Sequence, residues 1–348
     1  MTVQPYRAPW YFQDGFVQTV AVSLLHSNAW QQYGERSPLA PPLPVPPWQE
    51  HVFAGAEGVP IAGCYARQSG GCPRGTLIGC YGIVGSLEGS WYVHYLARKA
   101  YARGYDVVLY DWRGHGKTAE LSPVPPSDGW RDGEDIVRIA EQALALGCAA
   151  PAVAFGVSLG GQLVLWSLKA ARDLHSDALA GAVVLCPNLE SNWSLANLQK
   201  TWTGRLIEEA LVQELRREVT RRLRLYPETV PAGVLDRVRF IRDFDDEMVI
   251  GYYGFASVEE YYRKTSGLYL LEELALPHWI IYAADDPMFD PRIVDELEQR
   301  SAANRCARLV ITPQGGHVAH IGQPIGEEDE FWALNRTLEF CDELTGGG

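Results

Sequence analysis

The sequence predicts an α/β fold: a mostly parallel central sheet, covered by helices on both faces, with a helical insertion. Three observations carry this. Runs that are apolar throughout, at 76–81, 106–110, 152–155 and 181–186, alternate with stretches of helical spacing. Strands without a polar face belong to a parallel sheet buried on both sides. The alternation stops between 188 and 275, where charge and helical pattern dominate, and strand signals resume at 279–283 and 308–311. The 348 residues, 47% hydrophobic and 21% charged, suffice for a large soluble core.

Residues 1–50 read as an N-terminal arm ending in the proline-rich run 41–47, where proline fixes an extended path along the main domain. Segments 52–54 and 60–66 read as a short antiparallel pair turning at Glu57-Gly58. Strand 76–81 ends at Gly82 and leads to a helix at 92–102. Strand 106–110, helix 136–146, strand 152–155, helix 159–171 and strand 181–186 follow. The insertion holds a long helical segment at 205–226, and a last helix at 330–344 closes the chain before a frayed Gly346-Gly347-Gly348. The organisation expected is an arm (1–50), an α/β core (51–187 and 276–348) and a helical lid (188–275).

A net charge of −13 excludes a nucleic-acid partner, because phosphate binding needs a basic surface. Seven cysteines, scattered and without a CxxC pair, predict free thiols in a reducing compartment, the cytoplasm. The N-terminus lacks the pattern of a signal peptide, and its most apolar stretch, 16–25, is too short and polar for an integral membrane segment. Peripheral membrane contact stays open, and nothing in the composition sets an oligomeric state.

The chemistry centres on Gly156-Val157-Ser158-Leu159-Gly160, a G-x-S-x-G sequence between an apolar strand and a helix. The turn holding such a serine is sharp and strained, at a cost of about 1–3 kcal/mol. Small residues two positions either side keep side chains out of it, and the serine is raised over the sheet edge at a helix N-terminus. A serine hydroxyl needs a base. Strand 279–283 leads to Asp285-Asp286-Pro287, and strand 308–311 leads to Gly315-Gly316-His317, giving the order serine, acid, histidine. His317 is the expected general base and Asp286 the acid that orients it, with Asp285 the alternative acid. The backbone N–H groups of Leu159 and of Ile83, in Tyr81-Gly82-Ile83-Val84-Gly85-Ser86, are the expected oxyanion donors, each worth roughly 3–4 kcal/mol in the transition state.

Other motifs read as structural. Residues 114–118 lack the first glycine of a phosphate loop, which would fall at Asp111. Asp243, Asp245, Asp246 and Glu247 lack calcium-loop spacing and read as a lid loop or helix cap. Arg216, Arg217, Arg221, Arg222 and Arg224 read as a solvated helix face paired with nearby Glu. His317 and His320 lack the further ligands of a zinc site, so neither metal nor cofactor is expected.

These motifs together resemble the YheT-like branch of the α/β-hydrolases, which also includes membrane-bound eukaryotic lipid hydrolases. The resemblance extends through Gly15-Phe16-Val17-Gln18-Thr19, the loop 81–86, Arg113-Gly114, Phe244-Asp245-Asp246, Gly254-Phe255, Tyr261-Tyr262, Ser266, Ala284-Asp285-Asp286-Pro287 and Gly315-Gly316-His317. Tyr81 stands where the branch usually has His, which implies a pocket of different shape and polarity, and His320 stands where an aromatic is common. The resemblance implies ester hydrolysis, often on acyl or lipid substrates. The expected function is hydrolysis of a small-molecule carboxylic ester through an acyl-enzyme, with the insertion shaping an aromatic-lined acyl pocket. Thioester hydrolysis or acyl transfer uses the same parts, and a non-catalytic small-molecule-binding protein on this fold is the competing class.

Overall fold

A computed structural model describes residues 4–346. The apolar runs become β3 (Thr76–Cys80), β4 (Asp106–Tyr110), β5 (Ala152–Val157), β6 (Leu179–Leu185), β7 (His278–Ala283) and β8 (Ala307–Thr312), preceded by the hairpin β1 (Gln49–Ala54) and β2 (Pro60–Ala66). They form one sheet of order β1-β2-β4-β3-β5-β6-β7-β8. Only β1 with β2 and β2 with β4 are antiparallel. Side chains on both faces of β3, β4 and β5 are buried, as a sheet covered on two sides requires.

The layers over the sheet include α2 (Trp91–Ala102), the short α3 (Thr118–Leu121), α4 (Trp130–Ala145), α5 (Leu159–Asp173), α12 (Arg292–Ala303) and α13 (Trp332–Leu344). A buried ion pair ties α4 to the loop after β4: Arg113 Nε and an Nη donate to the two Asp135 oxygens at 2.6 and 2.8 Å, and the guanidinium also donates to Ala56 O at 2.9 Å. Removing one partner of such a pair costs about 3–5 kcal/mol. Between β6 and β7 run α6 (Ser191–Leu198), α7 (Trp202–Leu225), α8 (Val234–Arg237), α9 (Ile241–Met248), α10 (Ile250–Tyr253) and α11 (Val258–Thr265). Val212, Leu215 and Val219 of α7 pack with Ile241, Phe244 and Tyr261 into a second apolar cluster apart from the main core.

The chain departs from expectation at two places. The N-terminal arm contains a 19-residue helix, α1 (Gly15–Tyr33), capped by Asp14, whose carboxylate accepts from Val17 N at 2.8 Å. Its buried face carries Gln18, Thr19, Val22, His26 and Trp30, so no apolar stripe announces it. The arginines of α7 are not all solvated. Arg222 is buried and donates to Pro123 O, and Arg216 donates to Val238 O at 3.1 Å; Arg217 and Arg221 do form the expected pairs with Glu214 and Glu218. The acidic cluster meets the helix-cap reading at Asp243, which caps the first turn of α9, and Asp245 within that helix is buried. Gly347 and Gly348 lie outside the described residues. No described helix is long and apolar enough to cross a membrane.

Candidate active site

Ser158 sits between β5 and α5 with φ +54° and ψ −127°, the strained turn that the flanking glycines anticipate. The glycines are sterically required. A Cβ on Gly156 would lie 2.3 Å from Gly160 O, and one on Gly160 would lie 2.2 Å from Tyr81 O. The serine turn therefore interlocks with the loop after β3. A Cβ on Gly82 would approach Ser158 Cβ to 3.0 Å and Oγ to 3.5 Å, which sets this loop's backbone against the hydroxyl. Tyr92 Oη accepts from Gly82 N at 2.9 Å, so that amide is already engaged. Ile83 and Leu159, the two expected donors, line one recess with Ser158. Tyr81 is fully buried and donates to Asp111 Oδ1 at 2.8 Å; the same carboxylate accepts from Leu87 N and Lys117 N. The tyrosine thus anchors the loop to the core.

The expected acid and base lie just after the ends of β7 and β8. His317 Nδ1 and Asp286 Oδ2 are 2.8 Å apart, both residues are buried, and Asp286 Oδ1 accepts from Met288 N at 2.9 Å. A carboxylate facing Nδ1 favours a proton there and leaves Nε2 as the acceptor. Asp285 faces elsewhere: its Oδ1 accepts from Gly316 N at 2.9 Å, bracing the base loop. Burial raises its pKa above the ordinary carboxylate value. Ser158 and His317 line the same groove, with no hydrogen bond between them among the described residues.

Cys186 joins this corner, its Sγ within 4.8 Å of ligand atoms of Asp286 and His317. Burial holds its thiol well above the ordinary pKa, which opposes the thiolate that a metal would need. His320 is also internal. Its Nε2 lies 3.1 Å from Thr312 Oγ1, its ring stacks on Trp332, and burial lowers its pKa to about 4.

The positioning residues that spacing did not reveal lie in α1. Thr19 Oγ1 accepts from His317 N at 2.7 Å and donates to Gly15 O at 2.6 Å. Gln18 Oε1 accepts from Ile321 N at 2.7 Å. A Cβ on Gly316 would lie 2.4 Å from Gly15 O, and one on Gly15 would lie 2.1 Å from Asp285 O. The start of α1, the acid turn and the base loop are thus stacked backbone on backbone. The one signal for this was the Gly15–Thr19 motif, which composition alone left without a role.

Two spaces meet at Ser158. A groove of about 760 Å³ runs between α1 and α7, lined by Phe16, Val20, Leu24, Leu206, Leu211 and Met288. A recess of about 50 Å³ lies under the inserted helices. The apolar side chains of the groove wall are mostly aliphatic, with Phe16, Trp91 and Tyr92 the aromatic ones, and Ser23, Ser27, Asn28, Gln31 and the Glu214–Arg217 pair line it as well. Other aromatic bulk, such as Tyr95, Trp112 and Phe155, is spent in the core.

Residues 82–327 match the family model described as "Alpha/beta hydrolase family". The chain is 38% identical to "Putative esterase slr0264" of Synechocystis sp. over 97% of its own length and 94% of that protein's. It is 31% identical to "Putative esterase YheT" of Escherichia coli over 71% and 70% of the two chains. Among solved structures, a puromycin-hydrolyzing peptidase of Mycobacterium tuberculosis superposes with a TM-score of 0.59 at 14% identity. That match covers 89% of this chain and 42% of the peptidase, and it shows the fold alone.

Proposed function

This chain belongs to the α/β-hydrolase family, in its YheT-like branch, and from that premise we propose that it is a carboxylic-ester hydrolase using Ser158, His317 and Asp286. The observation that carries the reading is the His317–Asp286 hydrogen bond beside a groove shared with Ser158. Ser158 Oγ attacks the acyl carbon as His317 Nε2 takes its proton, the contact tightening once substrate is bound. The N–H groups of Ile83 and Leu159 hold the oxyanion. The alcohol leaves with the proton from His317, and water then attacks the acyl-enzyme by the same route in reverse. Ester and water become carboxylic acid and alcohol, with no cofactor. The longer groove takes the acyl chain, and the helices of 188–275 act as its lid. All seven cysteines are free, which supports a reducing, cytoplasmic setting.

The test is labelling with a fluorophosphonate probe together with hydrolysis of alkyl esters of increasing chain length. Wild type should label and turn over, and Ser158→Ala and His317→Ala should do neither. Folded wild-type protein that neither labels nor hydrolyses any ester would overturn the reading in favour of a ligand-binding role.

A further inference from the structure

The recess beside Ser158 has buried carboxyl groups in its wall, whereas the groove on the other side has the solvent-facing pair of Glu214 and Arg217. Asp128, Asp245, Ser194 and Asn188 share the recess wall with Ile83, Leu195, Leu198, Ile241 and Phe289, and among the described residues no Lys or Arg lines it. Both aspartates and Ser194 are more than nine-tenths buried. Asp128 is held at φ +47°, and its carbonyl accepts from Gln162 Nε2 at 2.7 Å. Tyr262 Oη donates to Asp245 Oδ2. Asn188 Nδ2 donates to Ser191 Oγ at 2.8 Å. Ser194 Oγ is buried with no hydrogen-bond partner, a state that costs about 1–3 kcal/mol unless a ligand relieves it. The recess therefore holds acceptors in excess, one orphaned hydroxyl and no cation.

We propose that this recess binds the alcohol half of the substrate, a small head bearing hydroxyl or ammonium hydrogen-bond donors, with Asp128, Asp245 and Ser194 as its specificity-determining residues. The inference rests on the esterase reading and adds the leaving group to it. The two halves of an ester diverge from its carbonyl, and Ser158, Ile83, Leu211 and Met288 line both spaces. An acyl chain is suited to the aliphatic side chains of the groove and poorly matched to buried carboxyl groups. The recess volume of about 50 Å³ admits roughly three to five water-sized groups, the scale of a glycerol or amino-alcohol head. Burial raises both carboxyl pKa values, that of Asp128 well above the ordinary range, where the Asp245 carboxylate adds repulsion, and that of Asp245 to about 7. The pair thus carries less than its full charge at neutral pH, yet still disfavours a phosphate beside the scissile bond.

The experiment compares kcat/KM of the full chain on octanoyl esters of glycerol, ethanolamine, choline, phosphoglycerol and ethanol. Glycerol or ethanolamine ester should exceed ethyl ester by about tenfold or more, with choline and phosphoglycerol esters below it. Whichever donor head is faster identifies hydroxyl or ammonium as the source. Asp245→Asn and Ser194→Ala should each lower the donor-to-ethyl ratio at least fivefold, with circular dichroism and fluorophosphonate labelling reporting that each variant is folded. A wild-type ratio near one, choline ester matching the donor esters, or a ratio unmoved in both variants would overturn the proposal while leaving the esterase reading intact. Loss of all turnover and labelling in wild type would instead remove that reading, and this inference with it.

Discussion

The turn that carries Ser158 and the loop that carries His317 are both strained, with φ +54° at Ser158, +61° at Val318 and +43° at His320, yet different parts of the chain hold them. The serine turn is assembled mostly from its neighbours: β5 enters, α5 leaves, and Gly156 and Gly160 let the backbones close. The histidine loop is held from far away. Its amide at His317 ends on Thr19, and its amide at Ile321 ends on Gln18, about 300 residues earlier in the chain. Strain at the first site is therefore stored in a local motif, and strain at the second is stabilised by a tertiary contact.

This contrast sets an order of perturbations. The largest effect is expected at the acid. Asp286→Asn should lower kcat by about 10⁴ by favouring the wrong tautomer of His317, whereas Asp285→Asn, at a residue that braces the base loop and packs on the start of α1, should cost about tenfold. Equal losses would reassign the acid. Next, Gly160→Ala should destabilise the fold by about 3 kcal/mol in urea denaturation, because its methyl meets Tyr81 O at 2.2 Å. Full stability in that variant would show that the serine turn is more pliable than its geometry implies.

Thr19→Val tests the remote support. It removes the acceptor for His317 N and should lower kcat/KM by 10- to 100-fold, roughly the 1–3 kcal/mol of one buried unsatisfied amide. Fluorophosphonate labelling should slow in step, while helix content by circular dichroism stays near wild type. Unchanged turnover would make α1 a cover rather than a brace.

The smallest effect concerns His320 and pH. Burial lowers its pKa in the folded protein to about 4, below the ordinary 6.5. The unfolded chain therefore binds the proton first as pH falls, and the neutral buried ring contributes stability that is present above about pH 6.5 and lost toward pH 4. Between pH 7 and 5, wild type should lose about 1–2 kcal/mol relative to His320→Asn, measured by urea unfolding at each pH. A difference that does not change with pH would mean that the ring titrates normally.

The strands were legible because apolar runs six or so residues long, broken by glycine and helical spacing, have few other uses. The serine turn was legible because its constraint is local, so the residue types required fall within five positions of one another. Asp285 and Asp286 could not be separated with certainty by order alone. They are adjacent, and a half-turn of backbone decides which carboxylate faces the imidazole. The aromatics that line the two spaces, Phe16, Trp91, Tyr92, Tyr262 and Phe289, could not be picked out from composition, since tryptophan and tyrosine counts say how much bulk there is and not where it packs.

Sequence by itself marked the α/β architecture and the Ser158 turn, because apolar strand runs and the G-x-S-x-G pattern are written in residues close in the chain, and it singled out His317 by its place after the last strand run. Tertiary structure decided that Asp286 is the hydrogen-bond partner of His317, that α1 braces the base loop, and that a recess with buried carboxyl groups meets a longer groove at Ser158. The first two depend on contacts across about 30 to about 300 residues, made by polar side chains such as Asp286, Thr19 and Gln18. Such residues leave no periodic mark in a sequence, and only burial beside a particular partner gives them a role.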